Sequence, residues 1–305
     1  MAMTPYSGDT SVIGKLGTTP QERGLTTQQF KDKFDEGLKN FVTWFNATHN
    51  GEINAHMADD ANPNLLINGD FQVWQRGTSF NTVSGYTADR WKIISTDGGY
   101  PLTVVKDVSG IKITPSGAPG FLRYFLEDSD FNRLNGKTVT LQVSQDGVVT
   151  ISTFTVTTNL VVQIPVTSET IINWVKLELG SSATPFVPRP FAEELAMCQR
   201  YFEKSYNYTD APGTPSPVGD GSITQTVPAA ANVYLPFRFK VVKRVKPTIT
   251  LYDNLGAAGK INVGGVNGTD FFSVSSHDGC GGLATNNIPT TTYVQFFWVA
   301  DAEIY

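Results

Sequence analysis

Three histidines (His49, His56, His277) and two cysteines (Cys198, Cys280) are the side chains of this 305-residue chain best suited to nucleophilic, acid–base or soft-metal chemistry. Their spacing serves none of these. His277 is the one histidine in the β-patterned part of the chain and sits in a glycine-rich loop over 275–282, so no Ser-His-Asp relay can be assembled by role. The Cys and His positions match no zinc-ligand spacing. Gly264-Gly265 and Gly279 to Gly282 lack the spacing of a phosphate loop and read as turns. Cys280 has no basic neighbour in sequence to lower its pKa and reads as an inert thiol. Carboxylates are plentiful, but a glycosidase pair is defined by a separation in space that sequence does not give. We therefore expect no catalytic residue, no catalytic metal and no cofactor. Asp59, Asp60 and Asp70, with Glu178 on a candidate edge strand, offer oxygen ligands for a structural calcium ion, but without EF-hand spacing, and solvated carboxylates are the plainer reading.

The residues that remain are aromatic. Trp74, Trp91 and Tyr100 lie in the first β-patterned segment, where flat rings on a sheet surface would stack on the C–H faces of sugars. Burial in the core is the competing reading for each. Tyr206, Tyr208, Tyr252 and His277 are polar-tipped rings of the second β-patterned half, which also carries glycine-rich loops over 264–268 and 275–282. Trp74, Trp91, Tyr206, Tyr208, Tyr252 and His277 are thus the glycan-binding candidates.

Charge narrows the partners. With 23 basic against 28 acidic residues and a net charge of -5, there is no cationic excess to neutralise a phosphate backbone or an anionic membrane. No apolar run approaches the roughly 18 residues of a spanning helix, and Met1 to Gly17 has no export pattern. Two cysteines make no disulfide framework, which fits assembly in a reducing cytosol.

These residues need elements to position them. Thr26 and Gln29 form a capping box, and Phe30, Phe34, Leu38, Phe41, Val42 and Phe45 follow near the 3.6 period until Asn46 to Gly51 supplies a stop. The result is a helix of about 20 residues and roughly 30 Å. We expect Phe30, Phe34, Leu38, Phe41 and Phe45 to mediate self-association; docking on the chain's own β-domain is the alternative. From Pro63 the texture is β. Val139 to Ser144 and Val148 to Val156 read as a hairpin across Gln145-Asp146-Gly147. Ile171 to Leu179 alternates, with Ile172, Trp174, Lys176 and Glu178 on one face and Ile171, Asn173, Val175, Leu177 and Leu179 on the other, so one face should be core. Pro185, Pro188 and Pro190 end the sheet and lead into a short helix with a stripe of Phe191, Leu195, Cys198, Tyr201 and Phe202. A loop over 211–221 precedes a second β-pattern, whose last strand, Thr291 to Ile304, is apolar on both faces and should be central or at a subunit interface. The fold class is mainly β: a helical segment over 1–62, a β-sandwich over 63–190, a connecting helix over 191–204 and a C-terminal β-sandwich over 205–305.

Asn64-Leu65-Leu66-Ile67-Asn68-Gly69-Asp70-Phe71-Gln72-Val73-Trp74-Gln75-Arg76-Gly77, followed by Ala88-Asp89-Arg90-Trp91, resembles the opening strands of a jelly-roll module common in bacteriophage tail fibre and receptor-binding proteins. That module is similar to carbohydrate-binding modules. A second block, Val175 to Gly180 with Ala183 to Phe186 and Glu193 to Phe202, resembles the module's closing strand and exit helix. Arg244 to Leu251 and Trp298 to Ile304 resemble a β-sandwich found at fibre tips, and Gly24 to Asp59 a helical attachment segment. The resemblance implies a non-enzymatic virion protein, assembled in the host cytoplasm. It would be a homotrimer, joined to other tail or capsid proteins through its N-terminal segment and adhering to a host-surface glycan. A decoration protein without receptor contact is the alternative, and a glycan depolymerase ranks third. The stretch from Ile113 to Val139 is shorter than in the resembling module, which shifts the expected recognition surface to 205–305.

Overall fold

A computed structural model describes residues 26–59, 63–157, 161–216, 221–232, 236–270, 272–284, 286–288 and 290–304. The chain divides into two compact units, 1–62 with 184–187, and 63–183 with 188–305. Among the described residues, no helix is long and apolar enough to cross a membrane.

In the first unit, helix α1 (Thr27–Asp59) opens on the capping box its sequence spells. Gln29 N donates to Thr26 Oγ1 (3.2 Å), and Thr26 N donates to Gln29 Oε1 (2.9 Å). The helix has 33 residues and is about 50 Å long. It runs through the stop expected at Asn46 to Gly51, because a lone glycine costs a helix only about 1 kcal/mol and no proline interrupts the hydrogen-bond ladder before Asp59. Phe34, Leu38, Phe41, Val42 and Phe45 are 39–53% exposed. Phe34, Leu38, Phe41 and Phe45 fall at steps of four, three and four, the seam spacing of a coiled coil. The side chain of Phe30 lies outside the described residues.

The second unit begins with ten strands: β1 (Ser79–Thr82), β2 (Ser84–Tyr86), β3 (Trp91–Ser95), β4 (Leu102–Asp107), β5 (Gly110–Pro115), β6 (Gly120–Phe125), then helix α2 (Asp128–Leu134), β7 (Thr138–Gln145), β8 (Val148–Thr155), β9 (Val161–Val166) and β10 (Thr170–Leu179). They form two antiparallel sheets, β1-β4-β5-β10-β7-β8 and β2-β3-β6-β9. Val104, Ile113 and Val175 of one sheet and Ile93, Leu122 and Ile164 of the other share one core, so this is a β-sandwich. The β7–β8 hairpin turns through Asp146 (φ 50°) and Gly147 (φ 78°), left-handed at both central positions as a type I′ turn requires.

Strand β10 departs from simple alternation. Its register slips between Ile172 and Trp174, which puts Ile172 in the core with Val175 and Leu177. The extra residue, Asn173, accepts from Gly147 N (3.2 Å) and donates to Ser109 O (3.1 Å), tying two turns together. The strand is also no edge, since β5 and β7 flank it. Both faces are buried over Val175 to Glu178. Lys176 pairs with Glu178 at 3.2 Å, and Gln142 Nε2 donates to Glu178 at 2.7 Å.

Helix α3 (Phe191–Gln199) then leads directly into the second set of strands: β11 (Phe202–Lys204), β12 (Ile223–Val227), β13 (Ala230–Asn232), β14 (Phe237–Arg238), β15 (Thr248–Tyr252), β16 (Lys260–Val263), β17 (Val266–Asp270), β18 (Phe272–Ser275), β19 (Gly279–Ala284), β20 (Asn286–Ile288) and β21 (Thr292–Asp301). Residues 202–204, expected as part of the connecting helix, are therefore a strand of the C-terminal sheet. β21 is its spine: β11 and β15 pair opposite edges of its C-terminal half, β12 and β16 those of its N-terminal half. This explains its apolar character on both faces. Val294, Phe296, Trp298 and Ala300 enter a core with Phe237, Leu251 and Ile261, while Phe297 and Val299 face the other way.

Candidate functional site

The first block of resembling residues builds a buried junction. Asn64 closes the module: its Nδ2 donates to Val175 O (2.8 Å), and its Oδ1 accepts from Leu66 N and Leu177 N (both 3.0 Å). Asn68, at φ 57°, gives its two Nδ2 protons to Val73 O and Asp89 O (both 2.9 Å) and accepts Val73 N on Oδ1 (2.9 Å). Asparagine tolerates this left-handed backbone better than other side chains, and three hydrogen bonds hold it there. Its own N–H donates to Glu194 of α3, which also pairs with Arg189 at 3.1 Å. The buried residues of α3 are accordingly Glu194, Cys198 and Gln199, whereas Phe191, expected in the apolar stripe, is exposed. A charged partner inside outweighed hydrophobicity as the guide to the inward face.

Asp89 and Arg90 extend the junction to the C-terminal module. Arg90 occupies φ 73°, a strained position for a bulky residue other than glycine. Its guanidinium lies over the Tyr201 ring (3.5 Å), donates to Phe125 O (2.7 Å) and pairs with Glu303. Arg76 lies over the Phe202 ring (3.7 Å) and reaches Glu303 (3.3 Å), Asp89 (3.5 Å) and Asp301 (3.6 Å). Gln75 Nε2 bridges Asp89 Oδ2 (2.5 Å) and Phe202 O (2.8 Å). Burial pushes the Asp89 carboxyl up to about 6, against the attraction of Arg76. A second buried pair, Lys243–Glu203 at 2.5 Å, fastens the 240–243 turn to β11, and Arg244 donates to Ala302 O and Glu303 O (both 3.1 Å). The two β-modules are thus joined by ion pairs and hydrogen bonds as well as by apolar contact.

This placement corrects the first pair of glycan candidates. Trp74 is 2% exposed, stacks on Phe80 and donates to Phe71 O; Trp91 is fully buried, donates to Asn68 O (2.8 Å) and meets Tyr124 edge-on. Neither indole presents a face to a sugar. Their N–H groups are held by backbone carbonyls of the same loop, as buried tryptophans require. Tyr206 is buried and stacked on Phe297 with centroids 4.4 Å apart. Tyr208 accepts from Trp74 N (2.8 Å) and donates to Gln72 O (3.1 Å), so its hydroxyl serves the junction. Burial raises both phenols to about 12. His277 is exposed, with Nδ1 3.4 Å from Lys243 O.

Among the described residues, the two carboxylates weighed for calcium are engaged separately. Glu178 is buried against Lys176, and Asp70 is half-buried and accepts from Gln72 Nε2 (3.1 Å). The Asp59 side chain and Asp60 lie outside the described residues. Both cysteines are buried thiols, and burial pushes Cys198 well above its ordinary value.

Tyr252 lines a sizeable cleft. The cleft encloses about 450 Å³ and is bounded by Arg76, Phe202, Pro212, Thr248, Thr250, Tyr252, Val299 and Asp301. Strand geometry explains the set. Thr248, Thr250 and Tyr252 alternate onto one face of β15, and Val299 and Asp301 lie beside them on β21, with Thr248 opposite Asp301 and Thr250 opposite Val299. Phe202 pairs with Asp301 from the other edge. Tyr206 supports Tyr252 from behind, ring edge to ring face, with centroids 6.0 Å apart. Thr248-Ile249-Thr250-Leu251-Tyr252 carries this arrangement as a period-2 signal in sequence, with Leu251 in the core. Arg76 and Asp301 join it only through the junction, which no local pattern announces.

No protein-family model matches the chain, and no curated protein does.

Proposed function

We propose that this chain is a virion protein of the tail-fibre or receptor-binding class that adheres to a host-surface glycan without catalysis. Its N-terminal helix, on this reading, gathers three copies and attaches them to other tail or capsid proteins. The observation that carries the reading is the destination of the resembling blocks. Arg90 reaches Glu303 of the C-terminal module, and Asp89 holds Gln75 and Arg76, which reach that module too; Asn64 and Asn68 close the first module, Glu194 ties α3 to Asn68, and Arg244 holds the residues after β21. They build a stiff support rather than a reaction centre, and on it the loops and the cleft of the C-terminal module are displayed. The seam-spaced apolar residues of α1 supply the means of multiplying a weak site by avidity.

The test is direct. Fluorescently labelled full chain is incubated with a panel of intact bacteria, and its mass is measured by light scattering. We expect labelling of a subset of strains and a mass three times the 33.2 kDa of one chain. Binding to purified virions with no labelling of any cell would move the chain to the decoration class. Release of oligosaccharides from cell-wall polysaccharide would make it an enzyme.

A further inference from the structure

We propose that the cleft over β15 and β21 is a saccharide-binding site selective for neutral, non-acidic oligosaccharides; this rests on the adhesion reading and gives it a location. The argument begins with hydroxyls. Thr248, Thr250 and Tyr252 point from one strand face into the cleft, and among the described residues none of their side-chain hydroxyls makes a hydrogen bond. Elsewhere in this unit, threonine hydroxyls bond readily within the chain: Thr140 donates to Gly180 O (2.8 Å) and Thr170 to Asp146 (2.6 Å). Three such groups in a row repeat at about 7 Å, twice the rise of a strand residue. That is a ladder of donors and acceptors suited to a polyhydroxylated chain, each hydroxyl able to give one bond and receive two.

Apolar surface accompanies them. The half-buried Tyr252 ring and Pro212 provide the flat contact that sugar C–H faces need. The volume, about 450 Å³, falls in the range of small-ligand sites. Charge sets the selectivity. Arg76 is held among Asp89, Asp301 and Glu303, and Asp301 places a carboxylate at the cleft, so a uronic or sialic acid would meet repulsion without a cation left over to offset it. A neutral sugar diol, by contrast, can donate to Asp301.

The experiment uses the full chain and a triple variant, Thr248→Val, Thr250→Val and Tyr252→Phe. Each change removes one hydroxyl while keeping shape and strand preference, and circular dichroism and thermal melting verify the fold. Saturation-transfer NMR and calorimetry with cellobiose, lactose and di-N-acetylchitobiose, and with sialyllactose and oligogalacturonate as acidic counterparts, are run beside the cell-labelling assay. We expect wild type to bind at least one neutral probe, the acidic probes to bind at least tenfold more weakly, and the triple variant to lose about tenfold or more in affinity. A chain that binds a neutral probe but labels no cell supports the cleft and refutes the adhesion reading. Cell labelling that the triple variant retains unchanged overturns the cleft and leaves adhesion standing elsewhere. No binding of any probe by wild type also overturns the cleft, as does acidic probe binding as tight as neutral.

Discussion

Glu303 is the residue whose loss the junction should tolerate least. Its carboxylate is fully buried and faces two guanidinium groups, Arg90, itself 1% exposed, and Arg76, 12% exposed. Replacing Glu303 with Ala removes the carboxylate that pairs with buried Arg90 and leaves Arg76 with Asp89 and Asp301. Breaking a buried pair from one side costs about 3–5 kcal/mol, a large share of the roughly 5–15 kcal/mol that holds a typical folded protein together. In a unit of this size that should lower the melting temperature by roughly 6–20 °C. Urea denaturation monitored by tryptophan fluorescence is a suitable assay, because Trp74 and Trp91 lie within the affected module. The control is the double variant Arg90→Met with Glu303→Leu, which removes both charges and should recover at least 1 kcal/mol relative to Glu303→Ala. The reasoning is refuted if Glu303→Ala costs less than 1 kcal/mol, or if the double variant is as unstable as the sum of the single changes.

Asp89 gives a pH signature of defined sign. Its folded pKa of about 6 lies above the ordinary 3.8, so the folded state holds a proton that the unfolded state has lost. Its contribution to stability should therefore be greatest below pH 4 and fall by up to about 1.4 kcal/mol per unit as pH rises to 6; denaturation of wild type and Asp89→Asn at several pH values should show a steeper fall in wild type than in the variant, and parallel profiles would contradict it. For the N-terminal helix, Phe34→Ser with Phe41→Ser should shift the assembly to smaller species in light scattering. An unchanged mass, or a wild-type chain that is monomeric at micromolar concentration, would count against helix-mediated assembly.

What was legible in the sequence was local. Asp146-Gly147 announces its hairpin because few other pairs adopt two successive left-handed residues, and Thr26 with Gln29 announces a helix start. The end of α1 was not legible, since Gly51 alone is too weak a breaker. Neither was the slip at Asn173, which depends on Ser109 and Gly147, two turns distant in sequence. Trp74 and Trp91 were misread for a related reason. Composition cannot say whether an aromatic faces solvent or a loop that folds back over it. In the cleft, the three hydroxyl positions were readable from period-2 alternation, but Arg76 and Asp301 come together over 225 positions of chain.

The ion pair between Arg90 and Glu303 spans 213 residues. Ribosomes add about 5–20 residues per second, so roughly 10–40 s pass between the synthesis of the cation and that of its counterion. The strands of the first sandwich are complete at Leu179, more than 100 residues before their deepest guanidinium receives its anion from beyond β21. The charge balance of the first sandwich therefore depends on a residue made 213 positions later, and a copy truncated before Glu303 leaves Arg90 without that carboxylate.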